Sequence, residues 1–278
     1  MALYKEDFIK ELEEIATKLR IKSLEMIYKR KAGHPGGSLS AADIITALYF
    51  YKLNINPEDP YMESRDRFIL SKGHACAVLY SALAMKGFFS EKDLFDWGKI
   101  SCHLQGHPDR NKTPGVEVST GILGHGINIA AGMLLASRIK GSKFKVYVLI
   151  GDGEIQGGII WEGAMTAAKY KLNDLIVILD NNGVQLDGLV SEIMPLEPLV
   201  DKWKAFNFEV LVIDGHDIRQ ILEALDKAST IQNKPVIIIA KTIKGKGVSF
   251  MEGNHYWHGV APDEKQFELA KRELLYKL

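Results

Sequence analysis

The sequence predicts an α/β fold, a doubly wound, mostly parallel sheet with helices on both faces, and three observations point there. From Lys143 onward, four short apolar runs of strand length (KVYVLI, DLIVILD, FEVLVID and KPVIIIAKT) alternate with helical stretches. The runs are continuously apolar, as strands covered on both faces are. The chain before them is helix-rich and punctuated by glycine- and proline-bearing turns such as KAGHPGGS and QGHPDRNKTPG.

Residues 5–30 carry Phe8, Leu12, Ile15, Leu19, Ile21 and Met26 at near-helical spacing, which predicts one long amphipathic helix stopped by Gly33 and Pro35. Helical stretches are expected at about 40–52, 74–87, 91–98 and 122–138, then near 158–170, 195–205 and 217–230 between the strands. No internal repeat, low-complexity tract or linker is visible. Residues 1–278 are therefore expected to form a single domain whose helical first half wraps the sheet.

Composition narrows the function. Lys and Arg number 35, as do Asp and Glu, so the formal net charge is zero and no long basic run exists to attract a nucleic acid or an anionic membrane. Two cysteines, Cys76 and Cys102, are too few for a disulfide framework and lack zinc-site spacing, which fits a reducing, cytoplasmic setting. The opening MALYKEDFIKELEE has charges where a secretory signal needs an apolar stretch. Residues 118–137 carry no formal charge, yet Thr120, His125, Asn128 and several glycines mark them as a packed interior helix rather than a membrane span.

The chemistry concentrates after Gly151. The strand KVYVLI runs into Gly151-Asp152-Gly153, a helix follows, and the strand LIVILD runs into Asn181-Asn182-Gly183. In a right-handed strand-helix-strand unit both strand ends open at the same sheet edge, so Asp152 and Asn182 can face one ion. A hard divalent cation such as Mg²⁺ takes oxygen ligands, here a carboxylate, an amide oxygen and a carbonyl at Val184, together with phosphate oxygens. Gly153 permits close backbone approach to a phosphate, and the following helix adds its N–H dipoles. Either turn alone is common in α/β proteins; their spacing, about thirty residues, is the informative feature. No GxGxxG follows a strand and no GxxxxGK[ST] occurs, which argues against a nicotinamide dehydrogenase or a P-loop nucleotide binder.

GDG followed at that spacing by an Asn pair resembles the thiamine-diphosphate motif. The flanks LDNNGVQLDG, KTIKGKG and HGVAP resemble transketolase, in particular the separately encoded N-terminal half of a split transketolase, over essentially the whole chain. The resemblance implies that Asp152, Asn182 and the Val184 carbonyl hold Mg²⁺ (or Ca²⁺). It implies that Gly153 and Asn182 contact the cofactor diphosphate and that Leu186 is the apolar side chain against the cofactor. Leu186 lies two residues beyond Val184 and is expected to point to the same side of a strand.

Eight histidines are present, six of them directly beside Gly or Pro, a context of turns at sheet ends. Through GHPGG, SKGH and QGHP the resemblance makes His34 a sugar contact, His74 a diphosphate contact and His107 a second substrate-side histidine. STGILGHG supplies Gly121 and Leu123 against the cofactor rings, and HYWHGVAP brings His258 near both diphosphate and substrate, with His255 beside it. Imidazoles suit such work because they hydrogen-bond hydroxyls and exchange protons near neutral pH. His103, His125 and His216 read as structural, His216 fixing a strand-to-helix turn. Lys241 and Lys244 either neutralise phosphate charge or form a solvated strand end. Glu154 and Glu162 suit the start of the motif helix through its dipole, and Glu162 also matches a family position at a subunit contact.

One departure is visible. The family commonly reads GDGExxEGxxWE, whereas this chain reads GDGEIQGGIIWE, with Gly157 at the position of a glutamate in a carboxylate network linking the two active sites of the dimer. The resemblance further implies ketol transfer between a ketose phosphate and an aldose phosphate, with the pentose phosphate pathway as the default setting. It covers only the diphosphate-binding domain. The pyrimidine-binding domain, with the glutamate that activates the cofactor, is expected on a C-terminal partner subunit, in an α2β2 complex in which alone the chain is active. The alternatives are a non-catalytic module that binds the cofactor or a partner, and a related ketol transferase acting on a different sugar.

Overall fold

The computed structural model describes residues 4–278. Helix α1 (Glu6–Arg30) has Glu6 and Asp7 in its first turn and Lys29 and Arg30 in its last, each complementing the helix dipole, and it ends as Lys31 turns left-handed at φ 56°. The stretch expected as a turn at Pro35 is instead a short helix, α2 (Pro35–Ser40), with proline at its first position, where no N–H is needed. Helix α3 (Ala42–Ala47) follows and widens into a π turn over Leu48–Lys52.

Strand β1 (Arg67–Leu70) was not expected: RFIL is four residues long, begins with a charge and lacks turn signals of its own. After a 3₁₀ turn at Gly73–Ala75 comes α4 (Cys76–Met85), and residues 91–96 form a 3₁₀ stretch capped by the Ser90 side chain rather than an α-helix. Helix α5 (Gly126–Lys140) starts later than expected, because Gly121 and Gly124 hold positive φ values that no α-helix contains. Nor is it fully interior: Ile139 is exposed, and Ile129 and Met133 are half-buried. The chain then alternates through β2 (Val146–Gly151), α6 (Gly158–Lys169), β3 (Leu175–Asn181), short helices α7 (Val190–Ile193) and α8 (Leu199–Ala205), β4 (Glu209–Asp214), α9 (Ile218–Thr230), β5 (Val236–Lys241) and α10 (Glu264–Leu275).

All neighbouring strands are parallel, in the order β1-β2-β3-β5-β4. Their side chains sort by the two-residue period. Tyr147, Leu149, Ile176, Ile178 and Ile238 pack with residues of α1, α3, α4 and α9 on one face, whereas Val146, Val148, Ile150, Val177, Leu179 and Ile239 pack with α5, α6 and α8 on the other. The expected helical cover of both faces is present, but one layer mixes α9 from the second half with α1, α3 and α4 from the first. A third cluster joins α10 to α1 and to the loop of Val248, Met251 and Trp257, fixing the segment that carries His258. Both cysteines are buried and free, and burial pushes the Cys76 thiol up to about 12, so it is an inert core residue. No helix among the described residues is long and apolar enough to cross a membrane.

Candidate functional site

Parallel strands deliver their carboxyl ends to one edge, where ligands of open α/β sheets bind. Here the residues just past β1, β2, β3 and β5 close a cavity of about 260 Å³ lined by Lys72 and His74, by Asp152, Gly153 and Glu154, by Asn182, Val184 and Leu186, and by Lys244 and His258, with Leu123 contributed by the loop before α5. A larger, open cleft of about 680 Å³ lies at the amino ends of β1 and β2, where two of the three lining arginines already have partners: Arg65 pairs with Glu117 at 2.7 Å, and Arg67 lies over Phe144. The smaller cavity carries the informative chemistry, a buried carboxylate with no ion-pair partner among the described residues.

Asp152 is that chemistry. It is 2 % exposed. Its Oδ1 accepts from Asn181 Nδ2 and its Oδ2 from the Gly183 N–H, each at 2.6 Å. Both donors are neutral, and burial raises the carboxyl to about 6 despite them. Asn182 Oδ1 accepts from the Val184 N–H at 3.1 Å, which shapes the turn that brings Asn182 and Val184 to the cavity. This Asp, Asn and carbonyl set is all oxygen. Among the described residues no three His, Cys, Asp or Glu side chains cluster as metal ligands, so a soft transition-metal centre has no support. A buried carboxylate without a cationic contact, beside amide and carbonyl oxygens, fits a hard divalent cation.

Two lysines face the same space. Lys72 is ion-paired with the fully buried Asp180, whose other contacts are the hydroxyls of Ser40 and Thr242. Burial would raise the Asp180 carboxyl, but Lys72 and these hydroxyls hold it below the usual carboxylate range. Lys244 is also buried. Its Nζ lies 2.9 Å from His258 Nδ1, and burial followed by repulsion from Lys72 lowers the ammonium to about 8. The two readings left open for the lysines thus separate: Lys244 faces the cavity, while Lys241 is an exposed strand end donating to Asn181 Oδ1 at 2.6 Å.

The imidazoles of His34, His74 and His258 stand together, with ring centroids 5.1, 5.4 and 5.0 Å apart pairwise, and His107 lies 6.4 Å from His34. Burial lowers all four, His34 to about 4 and His258 to about 3, so they are neutral at physiological pH. His107 and Gly121 do not line the 260 Å³ cavity; they line an adjoining groove, in contact with each other. Val184 and Leu186 do reach the cavity, but through a turn with one isolated bridge to Leu189, so the strand expected there is absent. Leu186 is 59 % exposed while Val184 is buried.

Glu154, expected to serve the dipole of the motif helix, does other work. It is buried, accepting from the Ser71 hydroxyl and the Gly124 N–H with Oε1 and from the Gly151 N–H with Oε2, and so ties three loops together. A 3₁₀ turn at Gly153–Gln156 separates Asp152 from α6, which therefore does not begin at the motif. Lys72, Asp180 and the bracing role of Glu154 were missed; the only signal for Lys72 was its place beside His74. Glu162 and His125 are exposed, and His103 bonds Asp93 at 3.1 Å.

A five-stranded parallel sheet with an oxygen-donor pair, two buried lysines and a histidine cluster at its carboxyl edge defines an α/β domain for a phosphorylated cofactor. The chain belongs to the family described as transketolase, thiamine diphosphate binding domain, whose match covers residues 12–277. It is 41 % identical over 266 residues to an apulose-4-phosphate transketolase subunit of Phocaeicola vulgatus, covering 96 % of this chain and 94 % of that one. It is 43 % identical over 264 residues to a 6-deoxy-6-sulfo-D-fructose transketolase subunit of a Clostridium species, covering 95 % and 96 %. The transketolase structure from Campylobacter jejuni superposes with a TM-score of 0.89 at 37 % identity, covering 95 % of this chain and 42 % of that one. The chain thus spans about two fifths of the solved transketolases and nearly the full length of the subunits.

Proposed function

We propose that this chain is the diphosphate- and Mg²⁺-binding subunit of a split transketolase, which transfers a two-carbon ketol unit from a ketose phosphate, or a related ketose, to an aldose phosphate together with a C-terminal partner subunit. The carrying observation is the buried Asp152 carboxylate, bonded only to neutral donors, beside Asn182 and the Val184 carbonyl in a cavity that also holds two lysines. Asp152, Asn182 and Val184 would hold the metal, and Gly153, Asn182, His74, Lys244 and His258 the diphosphate. Leu123 and Leu186 would supply apolar contact to the cofactor, with Gly121 at the edge of the adjoining groove. Bound thiamine diphosphate supplies a nucleophilic carbon and an electron sink for breaking a carbon–carbon bond.

The chain's own residues then bind and orient. Lys244 donates to His258 Nδ1, which leaves the Nε2–H of that ring to donate toward a ligand oxygen. His34 and His107, neutral and clustered, can hydrogen-bond sugar hydroxyls and accept or return a proton. That neutral cluster favours a catalytic subunit over a non-catalytic binding module.

Both of these relatives are named as subunits of a transketolase, which supports a partner subunit, and their sugars, apulose 4-phosphate and 6-deoxy-6-sulfo-D-fructose, widen the substrate beyond the pentose phosphate default. Co-purified with its C-terminal partner, the chain should transfer ketol units in an assay against xylulose 5-phosphate and these two ketoses. Turnover by the chain alone, or none by the pair with any ketose, overturns the reading.

A further inference from the structure

We propose that His216 is a positioning residue for Lys244, setting the place of that ammonium in the cavity through a relay that runs from α1 to the exit of β5. His216 sits past β4, outside the cavity, and its ring makes two bonds of opposite sense. Nδ1 lies 2.7 Å from Asp43 Oδ2, and Nε2 accepts the backbone N–H of Ile243 at 2.8 Å. An N–H aimed at Nε2 requires a lone pair there, so the proton is on Nδ1 and is donated to Asp43. Asp43 is locked in turn: Arg20 of α1 pairs with both of its oxygens, and Arg20 Nε donates to the Leu39 carbonyl at 3.2 Å. The backbone N–H of His216 donates to Asp214 Oδ1 at 2.8 Å, fixing its own turn as well.

Ile243 is the residue before Lys244. The flanking backbone is anchored by the Thr242 N–H on the Asn181 carbonyl at 3.2 Å and the Gly245 N–H on the Gly36 carbonyl at 3.0 Å. Between these anchors the His216 bond holds the Ile243 amide with a side chain. The ring faces Asp43 from α3, with Arg20 behind it from α1, while Asp214 on its own turn meets the His216 backbone. The carbonyls of Ile243 and Lys244 accept from the Lys246 and Gly253 N–H groups at 3.2 and 2.9 Å, so loss of the Ile243 bond loosens the segment on its amide side and shifts Lys244 relative to His258. The proposal rests on the cavity being the diphosphate site.

Two substitutions separate positioning from mere stability. The amide of glutamine can reach the place of Nε2 and accept from Ile243, whereas that of asparagine matches Nδ1, keeping Asp43 and losing Ile243. In the complex with the C-terminal partner at fixed Mg²⁺, His216→Asn should weaken thiamine diphosphate binding about tenfold, and His216→Gln should stay within about threefold of the native protein. Amide hydrogen exchange on the full chain without cofactor should quicken over residues 242–247 in the asparagine variant only. Equal behaviour of the two variants overturns the proposal. Nitrogen-15 NMR of the unmodified protein tests it without a variant, since a proton on His216 Nε2 at neutral pH would also overturn it. Lys244→Ala serves as the control: native affinity in that variant refutes the diphosphate reading itself, whereas weakened binding there with native affinity in His216→Asn refutes only the positioning role.

Discussion

The Nζ of Lys244 and the Nδ1 of His258 stand 2.9 Å apart inside the cavity, a lysine whose ammonium burial lowers to about 8 against an imidazole lowered to about 3. Donation therefore runs from lysine to histidine at neutral pH. As pH rises through about 8 the cavity loses a positive charge, and thiamine diphosphate affinity should fall over the same range. Lys244→Arg, which stays charged, should flatten that profile in a calorimetric titration. Because the folded value lies below the unfolded one, the same lysine costs stability below about 8, and that cost disappears as pH rises toward 10.5.

Asp152 carries the opposite sign. Its carboxyl is raised from 3.8 to about 6 by burial, so its ionised form is a cost to the metal-free chain above about 6 and none below the unfolded value. A bound cation cancels that cost. Mg²⁺ with thiamine diphosphate should raise the melting temperature more at about pH 7.5 than at about pH 5.5, as thermal melts at the two pH values would show. Asp152→Ala should abolish the Mg²⁺-dependent part of cofactor binding.

Lys72 and Asp180 form a buried pair, 3 % and 0 % exposed at their side chains. Removing one member strands the other charge, so Lys72→Met should cost about 3–5 kcal/mol in urea unfolding. Asp180→Leu in the same chain should recover part of that loss. Equal stability of Lys72→Met and the native protein would show that the pair is not desolvated in solution.

Glu154 satisfies the N–H groups of both Gly124 and Gly151. Glu154→Ala leaves two buried donors without partners and should lower stability by on the order of 2–4 kcal/mol. Since the loops it joins carry Leu123 and Asp152, the cofactor KM should rise as well, measured in the complex with the partner subunit.

The local motifs were legible without coordinates because each depends on short-range chemistry. Continuous apolar runs of this length between turn signals suit strands buried on both faces, and GDG and NNG suit turns, so β2 to β5 and the Asp152, Asn182 pair follow from the string of residues. The same holds for α1, whose apolar stripe and stop signals are local. Three errors have separate causes. β1 has too few residues to show a period, α2 overrides the turn propensity of Pro-Gly-Gly through its packing, and Leu186 lies on a turn closed by local bonds, Gln185 N–H to the Gly188 carbonyl and Val190 N–H to the Gly183 carbonyl, rather than on a strand.

Residue type and spacing were enough to specify the kind of sheet, the acidic and amide loop tips and the histidines that could serve them, since they fix backbone period and donor chemistry. Which charges meet was left to long-range packing. Lys244 became a cavity residue and Lys241 a solvated one although they are close neighbours in the chain, Glu154 went inward to brace three loops, and His216 came to lie between Asp43 and Ile243. Burial and pairing join segments far apart in the chain, 83 residues for Ser71 with Glu154 and 173 for Asp43 with His216, and no local pattern encodes them.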